Sequence, residues 1–172
     1  MAPTASTTAA LAMADALAVC LLERKGFKEK DFAFFHPGGA LGRRLLLNVE
    51  DIMRSGQANA IVHENKKVAE VLSAITRARA GSAIVVDTQG KLKGIFTDGD
   101  LRRSLASDKD LTNRRIKEVM TKNPTVVKKE MLAAEAMRIL QAKKIDEVPV
   151  VDKYHRPLGL LDVQDLLKAG LV

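Results

Sequence analysis

Thr97 and Asp100 are the residues whose types and spacing most directly permit chemistry in this chain. A hydroxyl and a carboxylate three residues apart, at a strand-to-helix junction, both face one ligand. The carboxylate accepts two ribose hydroxyl protons, while the hydroxyl and the helix-start N–H groups hold a phosphate. The same spacing is that of a capping box, in which Thr97 caps the helix and Asp100 reaches back to its backbone. Both readings stay open on the sequence. In a matching stretch further on, Asp162 and Asp165 take the two places. Asp162 sets an anion where a phosphate would lie, whereas Asp165 keeps the carboxylate that a ribose needs.

Other residues could assist. Ser82, in the small-residue stretch Ala80-Gly81-Ser82, allows close backbone approach and is either a contact to a ligand's phosphate or sugar or an ordinary residue leading into a strand. Arg102 and Arg103, one turn into the helix, either reach an anion or stay solvated. His36 titrates in the range that proton transfer requires, but a lone histidine before Pro37-Gly38-Gly39 makes no active site by itself. His63 and His155 have no companions at metal-ligand spacing, so no metal is expected. Cys20 reads as a small buried hydrophobe.

The elements that position these residues occur twice. Ala60 to Ser104 aligns with Thr125 to Ala169 at a constant shift of 65 residues, pairing Val85-Val86-Asp87 with Val150-Val151-Asp152, Gly94 with Gly159 and Asp100-Leu101 with Asp165-Leu166. Upstream, Asp51-Ile52-Met53 matches Glu118-Val119-Met120. Each unit starts with a short β run, followed by a stretch with apolar residues at helical spacing: Val68, Val71, Leu72 and Ile75 in the first, Leu132, Ala136, Ile139 and Leu140 in the second. Two apolar runs then form a hairpin, turning at Gln89-Gly90 in the first unit, and a second helix begins near Asp98 or Val163. The fold class is therefore α/β (α+β), a tandem of two β-α-β-β-α units.

Composition narrows the function classes. The chain has 28 Lys+Arg against 21 Asp+Glu, a formal charge of +7, with 47% hydrophobic and 28% charged residues, which is globular composition. Aromatic residues make up 3% and there is no Trp, which argues against stacking on nucleic acid. The basic residues are scattered and suit an anionic small molecule. With Cys20 as the single cysteine no internal disulfide forms, which fits the cytoplasm. The run Ala9 to Leu22 is interrupted by Asp15 and shorter than the ~20 residues of a bilayer span, so no membrane anchor is expected. Being apolar nearly all round, it is expected to be buried on several sides. Thr4 to Thr8 offer caps for a helix reaching about Arg24, with Gly26 as its stop signal.

The Gly94-Ile95-Phe96-Thr97-Asp98-Gly99-Asp100-Leu101 stretch and the paired valine strands ending in Asp87 and Asp152 resemble the CBS domain family, a resemblance that implies pseudo-twofold symmetry between the two units. Ala2 to Leu17, followed by His36-Pro37-Gly38-Gly39-Ala40-Leu41-Gly42-Arg43, resembles the end of the sugar isomerase (SIS) domain in D-arabinose 5-phosphate isomerases, where a CBS pair follows. The expected domains are 1–48, the tail of an SIS domain most of which this chain lacks, then 49–111 and 112–172, the two CBS units. The resemblance implies an enzyme interconverting D-ribulose 5-phosphate and D-arabinose 5-phosphate for Kdo and lipopolysaccharide synthesis, inactive as this chain alone, with His36 as a catalytic residue and no required cofactor. It also implies a regulatory ligand, CMP-Kdo or AMP/ATP, at Thr97, Asp100, Ser82, Arg102, Arg103 and Asp165. A homo-dimer or tetramer is expected. The alternative is a structural CBS pair that builds the oligomer without tight ligand binding.

Overall fold

A computed structural model describes residues 2–28, 31, 35 and 39–171. The chain divides into residues 1–46 and residues 47–172. In the first unit, α1 (Thr4–Arg24) is followed by α2 (Ala40–Leu46). The Ser and Thr hydroxyls at its start do not cap free N–H groups; Thr7 Oγ1 instead donates to the Pro3 carbonyl at 2.7 Å. Gly26, at φ +62°, ends the helix as expected.

The expected burial of α1 and of Cys20 is not found. None of its residues is buried and Cys20 is exposed, because among the described residues nothing in the unit covers the apolar surface. At 21 residues the whole helix is also long and apolar enough to cross a membrane, which the shorter run Ala9 to Leu22 was not. Asp15 near its middle weighs against a span, since a carboxylate at the bilayer centre costs about 2.5–3.5 kcal/mol.

In the second unit the β-α-β-β-α order appears twice: β1 (Ile61–His63), α3 (Val68–Ala78), β2 (Ser82–Val86), β3 (Leu92–Thr97) and α4 (Asp98–Ser107), then, after α5 (Ile116–Val119) and β4 (Thr121–Lys122), β5 (Val127–Lys128), α6 (Ala133–Lys143), β6 (Glu147–Val151), β7 (Pro157–Asp162) and α7 (Val163–Lys168). The sheets have orders β1-β2-β3-β4 and β5-β6-β7, with β1 parallel to β2, β5 parallel to β6 and the remaining pairs antiparallel. The repeat holds even in irregularities, since both hairpins shift register at the same place, between Val85 and Val86 and between Val150 and Val151.

The aspartates that end the valine strands build the turns. The Asp87 carboxylate accepts the Gln89 and Lys91 N–H groups, each at 2.9 Å. The Asp152 carboxylate does the same for Tyr154 and Arg156, each at 2.8 Å. Gly90 supplies the left-handed residue of the first turn, and His155, at φ 63°, supplies it in the second.

Each repeat closes its own apolar core. Val68, Val71 and Ile75 of α3 pack under β1 to β3, and Ala133, Ala136, Met137 and Leu140 of α6 under β5 to β7. The buried face of α6 thus follows the shift of 65 and begins at Ala133; Leu132 is instead the residue before the helix. A third cluster, Ile84, Leu92 and Ile95 against Val151 and Leu160, joins the repeats, and the Leu92 N–H donates to the His155 carbonyl across that seam.

The segments leading into the repeats are exchanged. Arg115–Thr121, which matches the approach to the first repeat, lies on the first repeat, bridging Lys67 to Arg115 and Ile95 to Thr121. Asn48–Arg54, which precedes the first repeat, lies on the second, bridging Asn48 to Leu132 and Arg54 to Leu160, with Val49 in the second core. Gly94 and Gly159 permit this approach. A Cβ on Gly94 would stand 2.5 Å from Met120 Sδ and 2.7 Å from the Thr121 carbonyl oxygen; one on Gly159 would stand 2.9 Å from Met53 Sδ and 2.6 Å from the Arg54 carbonyl oxygen. Gly94→Ala is therefore expected to cost about 1–3 kcal/mol by overpacking. Urea unfolding checks this. Adding Met120→Ala should recover only part of the loss, because the carbonyl clash remains.

Candidate functional site

At the first repeat, β2 aligns Ser82 opposite Thr97, and β3 delivers Thr97 to the start of α4 in extended conformation. Thr97 Oγ1 accepts the Asp100 N–H at 3.2 Å, and Asp100 Oδ2 accepts the Thr97 N–H at 2.9 Å, so the capping box is formed. The Thr97 hydroxyl also donates to Oδ2 at 2.9 Å. These contacts use one oxygen of the carboxylate. The other, Oδ1, accepts from Arg103 Nη2 at 2.6 Å and from the Thr121 hydroxyl at 3.0 Å. The capping box thus engages Oδ2 alone, while Oδ1 is held by partners from outside it. Asp100 itself is buried at 6% exposure, but the Arg103 side chain is 73% exposed.

The phosphate cradle differs from the expectation. The Thr97 hydroxyl is occupied within the box, and the Asp98 N–H donates to the Gly81 carbonyl at 3.3 Å. Gly99 lines the cleft beside Arg103, whose Nη1 lies 3.4 Å from where a Cβ on Gly99 would stand. An anion at this helix start would be met by the Gly99 N–H and the Arg103 guanidinium. Arg102 is exposed and does not line the cleft, since the helical turn carries it away from Asp100. Ser82 is fully buried and does not line the cleft, with a hydroxyl that lies near the Glu147 carboxyl without meeting hydrogen-bond geometry. His36 lies outside the described residues.

The second repeat holds a different arrangement at the equivalent place. Asp162 caps α7 by accepting the Gln164 N–H at 2.8 Å. Asp165 is not free. Arg54 Nε donates to its Oδ2 at 2.5 Å and Arg54 Nη2 to its Oδ1 at 3.2 Å, while the same Nη2 lies 2.9 Å from Asp162 Oδ2. The Arg54 side chain is 19% exposed, and its hydrogen bond to Asp165 raises its pKa above the ordinary value against the effect of burial.

The two half-sites open into one cleft of about 1120 Å³ along the seam between the repeats, lined among others by Thr97, Asp100, Thr121, Arg54, Glu147 and Asp162. That volume is of the order of a small-molecule pocket, which ranges over about 300–1,000 Å³. Arg54, Thr121 and Glu147 were not singled out on the sequence. One further step of the match between Met53 and Met120 reaches Arg54 and Thr121, and the shift of 65 sets Glu147 on Ser82.

The family signature of the CBS domain matches residues 49–107 and 116–172, and the chain belongs to that family. Over its whole length it is similar to arabinose 5-phosphate isomerase KdsD of Pseudomonas aeruginosa, with 49% identity over 172 residues, and to KdsD of Escherichia coli K12, with 45%. It spans about half the length of these curated relatives, 53% and 52%. Among solved structures it is similar to the CBS domain pair of protein MJ0100 in complex with 5′-methylthioadenosine and S-adenosyl-L-methionine, with TM-score 0.64, 26% identity, and coverage of 71% of this chain and 94% of that one. CBSX2 in complex with AMP gives TM-score 0.61, 25% identity, and coverage of 72% and 96%.

Glu147 generates a pH prediction. Burial pushes its carboxyl above the ordinary value of 4.5 and Asp162 adds to the rise, while Ser82, Arg54 and the Gly81 N–H pull it back. The native state then holds this proton more tightly than the unfolded chain, so its contribution to stability falls as pH rises from 4.5 through the folded value. Glu147→Gln is expected to flatten that slope and to be more stable than wild type at neutral pH. Urea midpoints taken below and above the window check the sign, and a steeper fall in the variant would contradict it.

Proposed function

We propose that this CBS pair is the ligand-responsive part of a cytoplasmic arabinose 5-phosphate isomerase, and that a nucleotide or nucleotide sugar binds in the cleft with its ribose on Asp100. The observation that carries this reading is Asp100 Oδ1, a buried carboxylate oxygen at the cleft whose guanidinium partner is solvent-exposed and replaceable. A ribose diol takes the place of Arg103 on Oδ1, and the released guanidinium turns to the ligand's anion. Similarity to KdsD over the whole chain supports the isomerase, and the nucleosides and nucleotide in the complexes of the similar pairs support the ligand class. Between the two ligand types, CMP-Kdo is preferred to AMP or ATP. Its sugar carboxylate gives Arg103 a further partner, and an end product of the pathway is a sensible inhibitor of an early step. Binding at the cleft regulates the enzyme only by favouring one conformation of the whole assembly, so substrate must alter ligand affinity in return.

A structural reading is favoured by a separate observation, the exposed apolar surface of α1, including Leu11, Met13 and Leu17. Such a surface fits association of chains into dimers or tetramers. Association of chains is compatible with ligand binding and is read by sedimentation at micromolar concentration, whereas the structural reading proper, a pair that builds the oligomer without tight ligand binding, is decided by titration.

Calorimetric titration with CMP-Kdo, CMP, AMP and ATP tests the first. At least one is expected to bind below millimolar concentration, and Asp100→Ala should weaken it at least about tenfold, a loss of ~1.4 kcal/mol or more. Because Asp100→Ala also opens the capping box, circular dichroism must show the variant folded. Absence of binding by all four would leave the structural reading alone.

A further inference from the structure

We infer that Arg54 is a built-in occupant of the second half-site, which closes it and limits the CBS pair to one nucleotide per chain, at Asp100. The inference rests on the proposed nucleotide reading for the first half-site, but its own basis is the pseudo-twofold relation of the two. Thr121 pairs with Ile95, and Arg54 pairs with Leu160, the residue 65 positions on from Ile95. Asp100 and Asp165 correspond in the same way, as do Thr97 and Asp162.

At the first position the lead-in segment therefore presents a short hydroxyl to Asp100, donating one hydrogen bond of 3.0 Å. At the second it presents a guanidinium that engages both oxygens of Asp165 and reaches Asp162 as well. A ribose diol needs the acceptor capacity that this fork already uses, in the geometry for which guanidinium and carboxylate are matched. Arg54 is also not free to swing aside as Arg103 is. Its backbone N–H and carbonyl both pair with Leu160, at 2.8 and 3.0 Å, and Nη1 approaches the Arg79 carbonyl at 3.5 Å. The side chain is thus anchored at its root and at its tip. Asp162 completes the closure, because the threonine-to-aspartate change supplies the second carboxylate that holds the guanidinium and repels a phosphate.

The test gives the second half-site the residues of the first. Arg54→Thr combined with Asp162→Thr is compared with wild type by calorimetric titration with AMP. The expected stoichiometry is one in the wild type, lost with Asp100→Ala and unchanged by Asp165→Ala. In the double variant a second equivalent should appear and be lost with Asp165→Ala. Arg54→Gln, which keeps a polar side chain of similar reach, is titrated with adenosine as a second variant in case the double variant does not fold. Adenosine carries no phosphate for Asp162 to repel, so a second equivalent is expected there too. Two equivalents in the wild type, a wild-type site that depends on Asp165, or an unchanged stoichiometry in the folded variants would overturn the inference. A wild type that binds none of CMP-Kdo, CMP, AMP and ATP, with a variant that gains an Asp165-dependent AMP site, would sink the proposed nucleotide at Asp100 and leave the closure of the second half-site by Arg54 standing.

Discussion

The exchange of the two lead-in segments is the constraint on which the remainder of the structure depends. Neither repeat supplies its whole sheet edge. The edge of β3 is taken by Thr121 and Lys122, and that of β7 by Arg54, a residue separated from its partner by more than the length of the first repeat. An unpaired edge leaves N–H and carbonyl groups open to other chains, so the crossing segments complete the fold and protect it at once. The crossing also forces the repeats together. A segment that leads into one repeat while lying on the other cannot reach its place unless Ile84, Ile95 and Leu160 meet at the seam.

The cleft inherits its chemistry from that crossing. Both strand ends, at Thr97 and Asp162, point toward the line where the repeats meet, and each lead-in segment delivers one side chain to the carboxylate there. Thr121 and Arg54 are consequences of where the backbone must run, and their different side chains separate two positions that the fold makes alike. The glycines at 94 and 159 belong to the same device, because only a residue without a Cβ lets the neighbouring carbonyl approach so closely.

Much of the fold was legible because it is local. The shift of 65 gave the element order twice, and the aspartates at the ends of the valine strands mark turns whose hydrogen bonds span four residues or fewer. Thr97 and Asp100 were legible for the same reason: the capping box is formed, and it leaves the second carboxylate oxygen to partners from outside the box. What the sequence concealed is long-range. Nothing in the neighbourhood of Arg54 says that it will meet Asp165, 111 residues away, and nothing near Glu147 says that it will be buried beside Ser82. On α6 the expected Ala136 and Leu140 are buried and Ile139 packs partly buried against the core, but Leu132 precedes the helix and Ala133 and Met137 fill the face, because spacing alone could not set the less apolar Ala133 and Met137 above Leu132. Burial of α1 was inferred from composition, which says that a surface needs a partner but not that the partner lies in the same chain.

Magnitudes then decide which carboxylate can serve a ligand. The Asp100 pair is with a guanidinium 73% exposed to solvent that holds only one of the carboxylate oxygens, so a ligand that itself donates to Oδ1 can replace it and keep the buried carboxylate paired. The Asp165 pair is with a guanidinium 19% exposed, forked across two oxygens and shared with Asp162. Removing it would leave Asp162 and Asp165 beside Glu147 with the exposed Lys168 ammonium, 3.8 Å from Asp165 Oδ1, as the remaining ion-pair partner of Asp165, and charge-assisted bonds are roughly twice as strong as neutral ones. Two positions built on the same backbone thus differ in availability through one side chain each. The asymmetry has a mechanical side as well, since Arg54 belongs to the segment that joins residues 1–46 to the repeats while Arg103 lies within a helix of the first repeat. Displacing Arg103 breaks one contact to Asp100, whereas displacing the Arg54 guanidinium breaks its contacts to Asp165, Asp162 and the Arg79 carbonyl together.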